Sequence, residues 1–265
     1  MSLHRSPMEI RRALSAILAV AAGGCTPHGS RVDPPDYRRA VLLDPAHTEW
    51  RTPAPAVSHL RFETTKGSFT LELVRAWGPI GADRLYNLAR LGYYDDTRVH
   101  RVNRNYIAQF GLHGDARVNA AWKNQQLPDD TPRSANRRGT FAFAFRAAPG
   151  TRNTQVFVNL ADNARNDAEN FTVLGTVIDG MPVLDSLYAG YGESSGSGLR
   201  QGRQGPLATG GNAYMDRAFP LLDRILHVTV TTVVPSAAKD LLSPQSRRER
   251  TGPSLRSQRQ DTTAR

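Results

Sequence analysis

The sequence predicts a mainly β fold, a closed barrel or sandwich of seven or eight short strands with two helices. Three observations predict it. Short apolar runs with period-two alternation recur through the middle of the chain; each is bounded by Gly, Asn, Asp or Pro; and only two segments carry helical spacing. Alternating parallel β/α units would need far more helix. A chain of 265 residues, 39% hydrophobic and 22% charged, has ordinary globular composition, with room for one domain and two tails.

In chain order, the domain opens with "HLRFETTKGSFTLELV", where Leu60, Phe62 and Thr64 alternate, then Phe69, Leu71 and Leu73, about a "TKG" turn. That is a β-hairpin with one buried face. Pro79 starts a helix in which Leu85, Leu88 and Ala89 recur at helical spacing, stopped by Gly92. The runs "GTFAFAF", "TQVFVNL", "FTVLGTVI" and "RILHVTVTTVV" read as further strands, and Gly139 and Gly175 suit barrel corners. A second helix, "MPVLDSLYAG", has Met181 and Pro182 at its start and Gly190 at its end.

Both ends read as outside the core. Residues 1–25 carry a basic segment, an apolar run from Ala13 to Ala22 and then small residues, the layout of an export signal. Ten apolar residues cannot span a hydrocarbon core of about 30 Å. Cys25 is the only cysteine, and "AAGGC" resembles a bacterial lipobox in which that cysteine is acylated. "AVA", Ala19 to Ala21, offers an ordinary signal-peptidase site instead. Either reading places the protein in the bacterial envelope, periplasmic and, if lipidated, a membrane-anchored lipoprotein. Residues 26–56, rich in Pro, Arg and Asp without a sustained period, read as a flexible tether. Residues 57–235 form the domain, and 236–265 a disordered basic tail.

The formal net charge of +10 invites a nucleic-acid partner. Its location argues otherwise. Lys239, Arg247, Arg248, Arg250, Arg256, Arg259 and Arg265 against Asp240, Glu249 and Asp261 leave the tail at +4, and Arg5, Arg11 and Arg12 against Glu9 add +2 in the leader. Most of the basicity lies outside the domain, so no specific nucleic-acid partner is expected.

The chain carries no phosphate loop, no GxGxxG after a strand and no GxSxG elbow. Its seven histidines include no pair at metal-ligand helical spacing, so no metal or cofactor is expected. His100 could act as a general base, but a lone histidine is more often a packing residue. What remains is polar residues on strands. Val99 and Arg101 share one face of "RVHRV", Ile107 and Gln109 one face of "YIAQF", and Gln155 and Phe157 one face of "TQVFV". Each segment sets a polar or cationic group beside an apolar one. Periodicity alone leaves two readings open, exposed faces of ordinary strands or a surface that grips an extended peptide.

These residues carry a family resemblance. "VHRVNRNYIAQFG", followed by "GTFAFAFRAAPGTRNTQVFVNL" and "FTVLGTVIDGMPVLDSL", resembles a cyclophilin-type peptidyl-prolyl cis-trans isomerase from about Leu60 to Val234. The later "GYGE" and "GNAYMDRAFPLLDRI" resemble an exported bacterial branch of that family. The resemblance implies a closed eight-stranded antiparallel barrel capped by two α-helices, acting as a monomer on proline-containing polypeptides without a cofactor. It implies Arg101 as the catalytic arginine and Gln109 as the substrate-positioning glutamine. Tyr106, Ile107 and Phe157 would line the proline pocket, with Gln155 a second polar residue of the groove. Tyr106 and Ile107 face opposite ways in a regular strand, so a bulge is expected if both line it.

Phe145 and Arg146 depart from the family's pattern in a stretch whose backbone normally pairs with the peptide, and would reshape the groove. Asn166 and Phe171 stand nearest to where many relatives carry a tryptophan and a histidine, so cyclosporin-type ligands are not expected to bind. The expected chemistry needs no covalent step. Rotation about a prolyl amide faces a barrier of about 18–20 kcal/mol and takes tens to hundreds of seconds unaided. Reaching about 10 turnovers per second asks for roughly three powers of ten, or about 4 kcal/mol. A guanidinium donating to the prolyl nitrogen favours the twisted amide, in which that lone pair is localised. The alternative is a catalytically weak cyclophilin-like module that binds proline-containing segments.

Overall fold

The structure, a computed structural model, describes residues 35–145, 148–191 and 204–233. The expected export leader, Cys25, Arg146 and the basic tail lie outside the described residues.

One antiparallel sheet of nine strands organises the fold: β1 (Val57–Thr64), β2 (Gly67–Val74), β3 (Thr97–Arg98), β4 (Arg101–Val102), β5 (Ile107–Phe110), β6 (Thr140–Phe143), β7 (Val156–Asn159), β8 (Val173–Asp179) and β9 (Arg224–Thr232). Their spatial order is β3-β9-β1-β2-β8-β6-β7-β5-β4. The expected closed eight-stranded barrel is corrected to a curled, open sheet. Its edges, β3 and β4, share no ladder although only Val99 and His100 separate them in sequence. Each pairs instead with a different neighbour, β3 with β9 and β4 with β5.

The predicted hairpin forms as read. β1 and β2 pair Leu60 with Leu71 and Phe62 with Phe69, and β9 adds Val230 and Val228 opposite Leu60 and Phe62. Period-two alternation sends these residues inward, and the Phe62 and Phe69 rings stack at 4.9 Å. Gly175 marks a close crossing of β8 and β2, where a Cβ would sit 1.8 Å from the Glu72 carbonyl oxygen. Gly139 enters β6 at φ +82°, a conformation other residues rarely adopt.

Among the described residues there are six α-helices rather than the two expected: α1 (Pro35–Leu43), α2 (Pro79–Arg90), α3 (Ala116–Trp122), α4 (Ala164–Ala168), α5 (Met181–Asp185) and α6 (Gly205–Ala218). α2 buries Leu85, Leu88 and Ala89, the predicted stripe. Its first turn is capped from a distance, because the Asp130 carboxylate accepts from the Ile80 and Gly81 amides, each at 2.8 Å. α5 stops at Asp185, short of the predicted Gly190. α6 packs Leu207 and Met215 with Leu112, Phe219 and Leu222 in a second small core. The buried Arg98 guanidinium ties α6 to edge strand β3, donating to both Asp216 carboxylate oxygens at 2.8 Å.

Residues 35–56 are not a free-standing tether. Val41 is buried, Trp122 Nε1 donates to the Leu42 carbonyl at 2.9 Å, and Trp50 meets Trp122 edge-on at 4.6 Å. Asn87 Nδ2 donates to the Trp50 and Thr52 carbonyls at 3.0 and 2.7 Å. The segment lacks a period because it docks through a few anchors rather than along a stripe.

Candidate functional site

β4 and β5 set Arg101 opposite Gln109, and β5 and β7 set Gln109 opposite Phe157. From this register a row of side chains follows. Arg101 Nη1 donates to Gln109 Oε1 at 3.0 Å, Gln109 Nε2 to Gln155 Oε1 at 2.7 Å, and Gln155 Nε2 to Gln204 Oε1 at 3.0 Å. Gln109 is only 4% exposed, so its amide is fixed from both ends, while Arg101 and Gln155 are half-buried.

Beside the row lies an apolar cluster of Ile107, Ala142 and Phe157, with Tyr106, Ala144 and Phe171 packed against it. The Phe171 ring meets Phe157 edge-on at 5.3 Å, and Phe145 lies on Phe171 at 4.2 Å. The Arg101 guanidinium stands 5.6 Å over the Tyr106 ring and so joins the polar row to the apolar cluster. All described candidates therefore converge: Arg101, Gln109 and Gln155 in the row, and Tyr106, Ile107, Phe157, Phe171 and Phe145 in the cluster. No bulge is needed. Tyr106 sits in the turn before β5, its amide donating to the Asn103 carbonyl at 2.9 Å, and β5 begins at Ile107.

His100 does not join the site. It is fully buried, and burial pushes its imidazole down to about 4, only partly offset by the neighbouring Gln155 amide. It is a neutral interior residue behind Arg101. A recess of about 700 Å³ bordered by Asp129, Asp130, Glu169 and Asn170 shares Phe145 with the cluster but none of the polar row.

Sequence reasoning missed Gln204, the last member of the row, because it precedes a helix that periodicity did not reveal. It also missed Asn159, which is fully buried at the end of β7. The alternation that placed Gln155 and Phe157 on one face extends to it.

Residues 59–201 match the family model "Cyclophilin type peptidyl-prolyl cis-trans isomerase/CLD". The chain belongs to the cyclophilin-type peptidyl-prolyl cis-trans isomerases. Among curated relatives, a peptidyl-prolyl cis-trans isomerase of Acinetobacter baylyi is 32% identical to this cyclophilin over 142 residues, covering 51% of this chain and 73% of the relative. A peptidyl-prolyl cis-trans isomerase-like 1 of Neurospora crassa is 32% identical over 124 residues, 46% of this chain and 76% of the relative. Of solved structures, a Cryptosporidium parvum cyclophilin type isomerase in the presence of the dipeptide Ala-Pro matches with a TM-score of 0.47 at 18% identity, covering 66% of this chain and 99% of that one. The cyclophilin AquaCyp293 of Hirschia baltica matches with a TM-score of 0.46 at 14% identity, over 74% and 80%.

Proposed function

We propose that this cyclophilin isomerises X-Pro amides of exported polypeptides in the bacterial envelope, with Arg101 donating to the prolyl nitrogen as the amide twists. The observation that carries the reading is the 3.0 Å contact between Arg101 and Gln109 at the edge of the apolar cluster. The proline ring packs against Ile107, Phe157, Tyr106 and Phe171, Gln109 steadies the carbonyl side, and Gln155 holds Gln109 in place. A donor preorganised where the nitrogen lone pair localises lowers the barrier without a covalent step. Phe145 shapes the rim, its ring lying on Phe171 at 4.2 Å. The envelope location rests on the export-signal layout of residues 1–25, and a lipid at Cys25 would supply a membrane attachment.

A second reading, a module that binds proline-containing segments with little acceleration, draws on the stack of Phe145 on Phe171 at 4.2 Å over the Phe157 ring. Exchange spectroscopy on an Ala-Pro tetrapeptide separates the two. Accelerated cis–trans exchange with the full chain supports the isomerase, and binding without acceleration supports the module. For the anchor, mass analysis of the protein recovered from bacterial membranes is expected to show an acylated Cys25 at the mature N-terminus. An unmodified mature chain beginning after Ala21 would remove the lipid.

A further inference from the structure

We infer that Asn159 is a positioning residue of this site, a single buried amide that holds both aromatic walls of the proline pocket, Tyr106 and Phe171. The inference deepens the isomerase reading and rests on it for the identity of the pocket.

Asn159 lies directly across from Ile107 and shares a face of β7 with Phe157. It is fully buried, and all four of its hydrogen-bonding positions are used. Its Oδ1 accepts from Asn163 Nδ2 at 2.7 Å and from Asn166 Nδ2 at 3.4 Å, while its Nδ2 donates to Thr140 Oγ1 at 2.8 Å and Asn136 Oδ1 at 3.1 Å.

Two branches leave this hub. Towards Tyr106, Asn163 Nδ2 also donates to the Tyr106 carbonyl at 2.9 Å, and Asn166 Oδ1 accepts from the Tyr106 hydroxyl at 2.8 Å. The backbone and the ring tip of one wall are thereby both held. Towards Phe171, Asn136 Nδ2 donates to the Phe171 carbonyl at 2.9 Å, and the Phe171 amide donates to the Asn166 carbonyl at 3.0 Å. Neither wall is a neighbour of the other in sequence, and the asparagine network is what joins them.

Packing alone does not call for such a hub. An interior strand end is filled as stably by a leucine, and a buried polar network is favourable only when every member is satisfied. What the network adds is geometry: Tyr106 and Phe171 are fixed relative to Ile107 and Phe157 before a proline arrives. Preorganised walls act on ring binding rather than on the amide twist, so their loss belongs in KM.

The test compares full-chain wild type with Asn159→Leu, Tyr106→Phe and the double variant, using an Ala-Pro tetrapeptide. It reads kcat and KM, the dissociation constant by titration, the aromatic NMR signals of Tyr106 and Phe171, and melting temperature. Asn159→Leu is expected to raise KM and the dissociation constant about fivefold or more, to leave kcat within about twofold, and to move both ring signals together. Tyr106→Phe is expected to raise KM about threefold in the wild-type background and to add almost nothing to Asn159→Leu. Asn163→Asp keeps the side-chain shape and gives up both donated bonds. It carries the same expectation if Asn159→Leu does not fold.

A lowered melting temperature with KM and ring signals unchanged would make Asn159 merely structural and overturn the inference. So would KM effects that multiply in the double variant, or a loss confined to kcat. If wild type fails to accelerate exchange while the two ring signals still move together, the isomerase reading fails and the hub stands.

Discussion

Gln109 receives a hydrogen bond from Arg101 at 3.0 Å on one side and gives one to Gln155 at 2.7 Å on the other. The guanidinium is aimed by an amide that is itself held in place. Replacing Gln109 with leucine removes the acceptor and leaves the strand pairing intact. The expected outcome is a fall of about tenfold in kcat/KM, or about 1.4 kcal/mol, with little change in melting temperature. Unchanged kcat/KM on an Ala-Pro peptide would show that Gln109 does not orient the arginine.

Trp50 ties the N-terminal segment to the body through its edge-on contact with Trp122 at 4.6 Å and through Asn87. Trp50→Ala is expected to destabilise the domain by about 3 kcal/mol, at the lower end for loss of a large aromatic side chain because the residue is half-buried. Denaturant midpoints check this. An unchanged midpoint would return residues 35–56 to the role of a tether.

Phe62 is fully buried and stacks on Phe69 at 4.9 Å with Phe110 at 5.3 Å, at the centre of the sheet's inner face. Phe62→Ala is expected to cost about 3–5 kcal/mol, from lost transfer energy and the cavity left behind. Urea unfolding of the variant measures it. A cost below about 1 kcal/mol would mean that the core lies elsewhere.

Two buried histidines contribute to the loss of stability in acid. Burial pushes both His100 and His113 from 6.5 down to about 4; Gln155 partly offsets this in His100, and Asp115 in His113. Between those values the unfolded chain binds protons that the native state refuses. Stability is therefore fully present above pH about 6.5 and is lost as pH falls towards 4, by up to about 1.4 kcal/mol per pH unit for each imidazole. Urea midpoints at pH 7.5 and pH 5 are expected to differ in that direction. Equal midpoints would mean that neither imidazole is held neutral.

Legibility in the sequence followed element length and regularity. The β1–β2 hairpin and the α2 stripe were readable because eight or more residues repeat one period around residues such as Phe62, Leu71 and Leu85. β3 and β4, at two residues each, offer no period, so the open edge between Arg98 and Arg101 could not be foreseen. α6 stayed hidden because "GPLATGGNAYMDRA" holds three glycines and kinks at Gly211. In the site, Arg101, Gln109, Gln155 and Phe157 were readable from co-facial pairs and from the order of motifs. Asn159 and Asn163 were not, and Asn166 was read only as a departure from the family's pattern, because asparagine in sequence signals a loop and only burial turns those amides into a network.

The most direct measurement of the central claim is kcat/KM of Arg101→Ala against wild type on an Ala-Pro tetrapeptide, by exchange spectroscopy, with melting temperatures measured alongside. The mechanism predicts a loss of about 100-fold or more with the fold retained, because the donor to the prolyl nitrogen is gone. Activity that persists unchanged in Arg101→Ala would contradict it.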